Sequence, residues 1–374
     1  MKKLFATLLF AAAWTQAAET PTITISKSDK LAIAVTGLPA AEAKVLENDL
    51  AMSGYFSVVP QGSATFIASG NSSATSIAGT VTERGGKTAL SQTFSGSARG
   101  KVHAFADEIV ETLTGNKGIA HSKIAFVATR SGHKEIFTAE ADGAGVTQLT
   151  NDGNISVAPR LSPDGHMLVY TGYKSGYADV YEINLASGAR NRIIKFPGTN
   201  SGATYSPDGS RLAVTLSKDG NPELYVTSAS GGSPHRLTHT SGVESSPTWS
   251  PDGNEIIYSS DDRGAPQLYR ISASGGSGRQ IGSGGYSTEP NWSPDGKKVA
   301  FNTRSGGGFA VSILDLGSSA TRTVGEGQDP VWGADSRHLI FSTGAALILL
   351  DTQTGQRTTL VSGLGKISEP TWSR

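Results

Sequence analysis

No cysteine occurs among the 374 residues, so disulfides, thiolate metal sites and a lipid-modified cysteine are all excluded. An excess of one charge is also missing, because 32 Lys and Arg balance 32 Asp and Glu. A balanced chain gives no indication of nucleic acid as a partner. Aromatic residues are scarce at 7%, whereas glycine is abundant with 46 copies, which is typical of an all-β body with many tight turns.

Long apolar runs are absent beyond residue 18, where nothing approaches the roughly 18 apolar residues that a membrane helix needs. The first 18 residues have the pattern of a signal peptide: Lys2 and Lys3, then the apolar stretch Leu4 to Ala13, then small residues with cleavage expected after Ala17 or Ala18. Residues 1–18 are therefore predicted to direct export. No direct membrane insertion of the mature protein is expected.

The tetrapeptide Ser-Pro-Asp-Gly recurs at a nearly fixed spacing. Its four copies begin at Ser162, Ser206, Ser250 and Ser293, in steps of 44, 44 and 43 residues. Proline presets the second position of a turn, aspartate tolerates the third, and glycine accepts a positive φ at the exit. Each copy is therefore predicted to be a hairpin turn. A period in the forties with four short β-type runs per unit indicates the blades of a β-propeller.

Six such blades can be counted from the second-strand runs, which include Ala125–Val127, Leu168–Tyr170 and Leu339–Phe341. The first unit lacks a first strand, and the final run Glu369-Pro-Thr-Trp-Ser373 has no blade after it. We expect this C-terminal strand to pair beside residues 124–128 and close the ring, because closure removes two open sheet edges.

Residues 31–117 do not repeat and are predicted to form a small α/β domain. The expected strands are Leu31–Thr36, Tyr55–Val59, Ser76–Glu83 and Lys87–Ser95, and the expected helices are Ala40–Ser53 and Lys101–Thr114. Residues 19–30 precede this domain as an arm, and an edge strand and a flexible arm both fit their composition. The predicted fold class is mainly β, with a six-bladed propeller over 118–374 behind the small domain.

The chain resembles the TolB family of the bacterial Tol–Pal cell-envelope system. The resemblance rests on Leu113–Gly118 followed by Lys123–Val127 at the domain junction, on the repeats Tyr205–Gly209 and Pro247–Gly253, and on the final Pro370–Ser373. It covers nearly the whole mature chain.

This resemblance implies a non-enzymatic periplasmic scaffold without a cofactor that maintains outer-membrane integrity and assists cell division. The family binds the peptidoglycan-associated lipoprotein Pal at one mouth of the propeller tunnel, and other OmpA-like envelope proteins are further possible partners. The arm would contact TolA, and its predicted contact residues are Glu19, Thr20, Pro21, Thr22, Ile23, Thr24 and Ile25. The family pattern adds the mouth segments Thr199–Asn200 and Glu244–Ser245.

The first strand of each blade lines the tunnel of a propeller, so the residue before its proline should lie near one mouth. These six positions are Ala158, Gly202, Ser246, Glu289, Asp329 and Glu369. Three consecutive units place a carboxylate there. This acidic sector could receive a cationic or amide-rich partner element or a cation, or the acids could be solvated residues that help the turn.

The other conspicuous residues are interpreted as structural. The turn residues Asp164, Asp208, Asp252 and Asp295 repeat once per unit. The tryptophans at one blade position are expected to pack between blades, and they are Trp249, Trp292, Trp332 and Trp372.

No catalytic or metal site is predicted. His235 and His239 are four residues apart, which is about 13 Å in an extended chain at roughly 3.3 Å per residue, so in that conformation they cannot share one metal. No Gly-x-Ser-x-Gly elbow occurs. A propeller lyase or hydrolase acting on an envelope polysaccharide is the alternative hypothesis, and it requires His, Arg and acidic side chains to converge on one face. An interaction module unrelated to Tol–Pal is a third.

Overall fold

The structure, a computed structural model, describes residues 30–282 and 284–373. The predicted signal peptide and all of the predicted arm except Lys30 lie outside the described residues. Neither helix in the described part of the chain has the length and apolarity needed to cross a membrane.

The small domain is one five-stranded sheet with two helices. Its elements are β1 (Leu31–Thr36), α1 (Ala40–Met52), β2 (Phe56–Val58), β3 (Phe66–Ser72), β4 (Ser76–Glu83), β5 (Thr88–Ser95) and α2 (Gly100–Thr114). The sheet order is β2-β1-β3-β4-β5, with β1 parallel to both of its neighbours. The helices bury Leu46, Leu50, Phe105 and Ile109 against the sheet.

The central strand β3 was missed by the sequence analysis. After Phe66 and Ile67 its sequence consists of small and polar residues, including Ser69, Gly70 and Asn71, which do not mark a strand. Packing explains the small residue, because a Cβ at Gly70 would lie 2.8 Å from the Leu38 side chain. Position 70 therefore has to be small for β3 to fit beneath the Leu38 segment.

Six four-stranded antiparallel sheets form the propeller, which confirms the predicted fold class. Blade 1 consists of β29 (Ile367–Trp372), β6 (Lys123–Ala128), β7 (Glu135–Glu140) and β8 (Thr147–Gln148). Blade 2 consists of β9 (Ser156–Leu161), β10 (Met167–Gly172), β11 (Asp179–Asn184) and β12 (Arg190–Ile194). Blade 3 consists of β13 (Asn200–Tyr205), β14 (Arg211–Leu216), β15 (Glu223–Ser228) and β16 (His235–Arg236).

The remaining blades follow the same order from the innermost strand outward. Blade 4 consists of β17 (Glu244–Trp249), β18 (Glu255–Ser260), β19 (Gln267–Ser272) and β20 (Arg279–Gln280). Blade 5 consists of β21 (Ser287–Trp292), β22 (Lys298–Ser305), β23 (Gly308–Asp315) and β24 (Thr321–Glu326). Blade 6 consists of β25 (Gln328–Trp332), β26 (His338–Ser342), β27 (Ala346–Asp351) and β28 (Arg357–Ser362).

The C-terminal strand closes the ring as predicted. Strand β29 pairs with β6, and Trp372 lies opposite Ile124. The Lys123 amide donates to the Ser373 hydroxyl at 2.8 Å, and the Ser373 amide donates back to the Lys123 carbonyl at 2.9 Å. Blade 1 is thus assembled from both ends of the propeller sequence.

The Ser-Pro-Asp-Gly segments form the predicted hairpin turns. In the second copy the Ser206 hydroxyl donates to Asp208 at 2.5 Å, and the Gly209 amide donates to the Ser206 carbonyl at 2.8 Å with φ of 71°. The Ser206 hydroxyl lowers the pKa of Asp208 to about 2, with further help from Ser210. The aspartate is therefore ionised and fully engaged in the turn.

The repeated tryptophans pack between blades. The Trp249 indole donates to the Thr204 carbonyl of the preceding blade at 3.1 Å, and the Arg211 guanidinium lies 4.7 Å above its ring. Arg270 and Lys298 cover the rings at positions 292 and 332 in the same way, at 5.1 Å and 4.9 Å. A cation from one blade on an indole of the next fixes the angle between them.

The small domain packs against blades 1 and 6 on the face that carries the Ser-Pro-Asp-Gly turns. Arg99 forms ion pairs with Glu140 and Asp142, and buried His103 joins Asp49 at 2.6 Å to Glu140 at 3.3 Å. These contacts place the small domain on the turn face of the propeller, and the opposite face is not covered by it.

A second polar contact centres on Arg337. Its guanidinium pairs with Asp351 at 2.6 Å, donates to the Gly54 carbonyl at 3.2 Å and lies 4.3 Å above the Tyr55 ring. Gly54 has φ of 75°, and a Cβ there would lie 2.4 Å from the guanidinium. This buried cation therefore joins blade 6 to the loop after α1.

Deleting Pro370–Arg374 should lower the melting temperature by about 10 °C. The deletion reopens the edge of β6 and removes Trp372, a loss of about 3–5 kcal/mol for a buried tryptophan at about 2–4 °C per kcal/mol. Thermal unfolding followed by circular dichroism measures the change. A chain shortened by Arg374 alone, which keeps all of β29, is the control, and equal melting curves for the two would contradict closure.

Arg337→Met should cost about 3–5 kcal/mol, because it leaves the buried Asp351 carboxylate without its cation. The double variant Arg337→Met/Asp351→Asn should recover part of that loss, since no unpaired charge remains buried. Urea unfolding of the three proteins measures the difference. A double variant less stable than the single one would show that the charge imbalance is not the cause.

Candidate functional site

The six positions predicted at the tunnel mouth share an unusual backbone conformation. All have positive φ, with values of 50°, 64°, 53°, 49°, 56° and 53° at Ala158, Gly202, Ser246, Glu289, Asp329 and Glu369. The left-handed region disfavours residues with a Cβ, and only one of the six is glycine. At each position the register between the innermost strand and its neighbour shifts, as at a β-bulge.

All six positions line one cavity of about 410 Å³ in the centre of the ring. The bulge turns the backbone toward the axis, and the following residue, proline in five units, continues the strand. The cavity also contains Lys134 and Tyr173, which flank the loops between second and third strands, so it opens on the face away from the small domain. The predicted ring of mouth residues therefore exists as a single surface.

Each of the three carboxylates of the ring accepts a hydrogen bond from a neighbouring blade. The Glu369 amide donates to Asp329 at 2.9 Å, and Glu369 accepts from the Ala158 amide at 2.5 Å. Glu289 accepts from the Ser246 hydroxyl at 2.6 Å. The acids thus bridge blades 1, 2 and 6 at one side and blades 4 and 5 at the other.

Two basic residues balance the acids only in part. Lys134 lies 3.8 Å from Glu369, and Arg160 lies 3.9 Å from Glu289, both beyond direct hydrogen-bond distance. Burial raises the pKa of Glu289, and the charge of Asp329 adds to that effect; burial likewise raises the pKa of Glu369. Three acids against two distant cations leave a site that favours further positive charge or hydrogen-bond donors.

Arg160 and Lys134 were not identified by the sequence analysis. Arg160 lies two residues after Ala158, where the other units carry Thr, Asn or Val. A charged residue on an innermost strand was the available signal. Lys134 lies in a loop whose length varies between blades, so its position could not be derived.

The tunnel continues toward the opposite face. A second cavity of about 280 Å³ shares Arg160, Pro290, Asn291 and Val331 with the first, and it is lined further by Tyr205 and Trp249. Its far end includes Lys117 from the segment between the domains. The acidic mouth therefore lies at the end of the tunnel away from the small domain.

The remaining predicted mouth residues divide into two groups. Ser245 lines the acidic cavity beside Ser246, whereas Thr199 is exposed outside it. Asn200 and Glu244 are fully buried, since the first residue of an innermost strand points into the blade. The Asn200 amide holds the carbonyls of Ala178 at 3.0 Å and Phe196 at 2.8 Å, so its side chain supports the loop and offers no surface.

The face of the propeller that holds the acidic cavity also carries exposed apolar side chains. Four large apolar residues are exposed in the described part of the chain, and three of them lie in loops on the mouth face: Ile155, Tyr177 and Val243. Tyr177 is 73% exposed. Exposed aromatic and aliphatic groups around a polar centre are typical of a surface that contacts another protein.

The described residues offer less support for a catalytic or metal site than for a partner-binding site. The described lining of the acidic cavity includes Arg160 and three acids but no histidine, so the convergence that a lyase needs is not present there. One group in the described residues, His103, Glu140 and Asp142, has ligand atoms within 4.8 Å of one another. Arg99 already supplies a cation to both of its acids. A metal there would have to displace the guanidinium.

Comparison with known proteins gives consistent results. A family model, PD40, described as the TolB β-propeller domain, matches residues 110–374. A TolB homolog of Chlorobaculum tepidum is 38% identical over 133 residues, 32% of this chain and 31% of that protein. The Tol-Pal system protein TolB of Desulfosudis oleivorans is 37% identical over 102 residues, 27% of this chain and 23% of that protein. The chain thus matches less than a third of the length of these curated relatives.

A crystal structure of TolB from Acinetobacter baumannii has the same fold. Its TM-score is 0.82 at 23% identity, and the superposition covers 92% of this chain and 97% of the other. The match to the TolB β-propeller family model, over residues 110–374, covers well over half of the sequence and includes every blade. The chain therefore belongs to the TolB β-propeller family.

Proposed function

We propose that this protein is a non-enzymatic periplasmic scaffold of the Tol–Pal system, which maintains outer-membrane integrity and assists cell division. The observation that carries the proposal is the mouth of the tunnel, where three carboxylates line a cavity of about 410 Å³ on a face that also carries exposed apolar residues. The relative from Desulfosudis oleivorans is named as a Tol-Pal system protein. Residues 1–18 supply the export signal.

The partner proposed for the mouth is the peptidoglycan-associated lipoprotein Pal. A partner element with a lysine, an arginine or several backbone amides at its tip would satisfy Glu289, Asp329 and Glu369 without displacing their blade contacts. Apolar side chains around that tip would cover Tyr177 and Val243. Such an arrangement has a polar centre that sets orientation and an apolar rim that supplies buried area.

The second partner proposed is TolA, which would contact the arm formed by residues 19–30. The arm precedes a domain that lies on the opposite side of the propeller from the acidic mouth. Two partners could therefore be held at once, one at each side of the molecule. This geometry suits a scaffold rather than an enzyme, which would need reacting groups at a single site.

Charge reversal at Glu289 and Glu369 together should weaken Pal binding at least tenfold and leave the fold intact. Both side chains face a cavity, so replacement does not place a new charge in a packed core. Pull-down from envelope extract with identification by mass spectrometry, followed by calorimetry with the recovered OmpA-like lipoprotein, measures the effect.

The matched control for this test is charge reversal at Glu83 and Glu111, on the surface of the small domain. It changes net charge equally and should leave affinity unchanged. Equal affinity of wild type and the Glu289/Glu369 variant would count decisively against the acidic mouth. Recovery of no OmpA-like protein, together with sugar-dependent thermal stabilisation, would favour the polysaccharide enzyme instead.

Deleting residues 19–25 from the mature chain should abolish binding to the periplasmic part of TolA, because these residues form the proposed contact segment. Pal binding and the melting temperature should stay unchanged. Calorimetry with each partner separates the two effects. If TolA still binds the shortened protein, the arm is not its contact segment.

A further inference from the structure

Two glutamates face each other, fully buried, at the seam between blades 3 and 4. Glu223 is the first residue of β15, and Glu244 is the first residue of β17. Both are 0% exposed. Nothing in the partner site described above uses their side chains.

Each carboxylate has one oxygen that is well bonded. Glu223 Oε1 accepts from Arg236 at 2.7 Å and from the Thr240 amide at 2.8 Å. Glu244 Oε1 accepts from the Thr240 hydroxyl at 2.8 Å and from Ser260 at 2.7 Å. Thr240 therefore bridges the two glutamates.

The second oxygen of each carboxylate is buried and accepts no hydrogen bond from the described residues. Because the amide of Thr240 bonds one carboxylate and its hydroxyl bonds the other, the two carboxylates lie side by side. Two ionised carboxylates this close and out of water repel strongly, whereas one proton shared by the pair removes that repulsion.

Other seams between blades do not place two carboxyl groups at these positions. The corresponding pairs are Glu135 with Ser156, Asp179 with Asn200, and Gln267 with Ser287. Between blades 2 and 3 the two residues are in direct contact, since the Asn200 side-chain amide lies 3.4 Å from the Asp179 carboxylate. Each of these seams has at most one acid, so the repeat alone does not require a second carboxyl group at position 244.

We propose that Glu223 and Glu244 share one proton and form a pH-responsive element that controls the local stability of the rim segment Thr240–Ser246. This segment contains the exposed Val243, and Ser245 and Ser246 line the acidic cavity. Loss of the proton places two like charges at the seam and loosens the segment. The consequence for partner binding rests on the function proposed above.

The direction of the pH effect follows from the environment. Burial raises the pKa of Glu244 to about 7, and the charge of Glu223 contributes to that shift. Because the folded pKa lies above that of an exposed glutamate, the stabilisation is complete below about pH 4.5 and is lost as pH rises through about 7.

The charged groups packed around the pair are few. Arg236 on β16 is bonded to Glu223, and Lys218 and Asp219 in the preceding loop neutralise each other at 2.6 Å. Burial raises the pKa of Tyr225 to about 12 and raises that of Tyr258 as well, so both stay neutral. Asp262 accepts from Ser241, which lowers its pKa. Asp261 accepts from the Val243 amide at 2.7 Å, and Arg263 lies beside Thr240 and Ser260. His235 and His239 are the histidines of this region, and glutamine at both positions removes them from the test.

The test uses the full mature chain with His235→Gln and His239→Gln as background. Hydrogen exchange of amides 240–246, corrected for intrinsic rates, should be about tenfold faster at pH 8 than at pH 6. The reason is that Glu244 has the pKa of an exposed glutamate when the segment is open and a raised pKa when it is closed. Glu244→Gln keeps a hydrogen-bond donor toward Glu223 and should abolish that difference.

Glu135→Gln is the matched control, because it removes the equivalent acid of a seam with only one carboxyl group. It should leave the tenfold difference at residues 240–246 unchanged. In the background protein with 13C-labelled glutamate, the carboxyl resonance assigned to Glu244 should titrate near pH 7. A Glu244 resonance that does not titrate between pH 6 and 8 would overturn the proposal even if Glu244→Gln fails to fold.

A separate arm tests the link to binding. The affinity of the captured OmpA-like lipoprotein should fall between pH 6 and pH 8 in the background protein and stay constant in the Glu244→Gln variant. If no such partner binds at either pH, the proposed function fails. The carboxyl titration still tests whether Glu223 and Glu244 share a proton.

Discussion

Pairing between the first and last strands of the propeller is the constraint on which the rest of the molecule depends. Strand β29 supplies the innermost strand of blade 1, so the tunnel has no complete wall until residues 367–372 are in place. Glu369, one of the three mouth acids, lies within that strand. The same step that closes the ring therefore also completes the acidic cavity.

The small domain depends on closure as well. Its ion pairs reach Glu140 and Asp142 in blade 1, and its Gly54 carbonyl accepts a hydrogen bond from Arg337 in blade 6. These are the two blades that meet where β29 joins β25 and β6. By covering the turn face at this junction, the domain directs the exposed surface of the propeller to one side. The two faces of the ring thus differ, since one carries the small domain and the other carries the acidic cavity.

Much of the architecture could be predicted because the same four-stranded unit occurs six times in the sequence. The turn residues, the inter-blade tryptophans and the displaced strand each follow from comparing units. Strand β3 could not be predicted, because only Phe66 and Ile67 of its seven residues are strand-forming and the packing of Leu38 over Gly70 decides its place. The ring of mouth residues was predictable from its position before proline. Arg160 and the buried Glu223–Glu244 contact were not, because each depends on the approach of residues from different blades.

The left-handed backbone at the six ring positions has an evolutionary consequence. Since a bulge rather than any side chain directs each position toward the axis, side chains can be exchanged there while the blade stays the same. Chirality limits the exchange: β-branched residues are strongly disfavoured at positive φ, so the usable set is glycine and small or unbranched polar residues. Blades 2 and 3 carry alanine and glycine, and blades 5, 6 and 1 carry acids. A family with this backbone could change its partner by substituting a few charges on an unaltered frame.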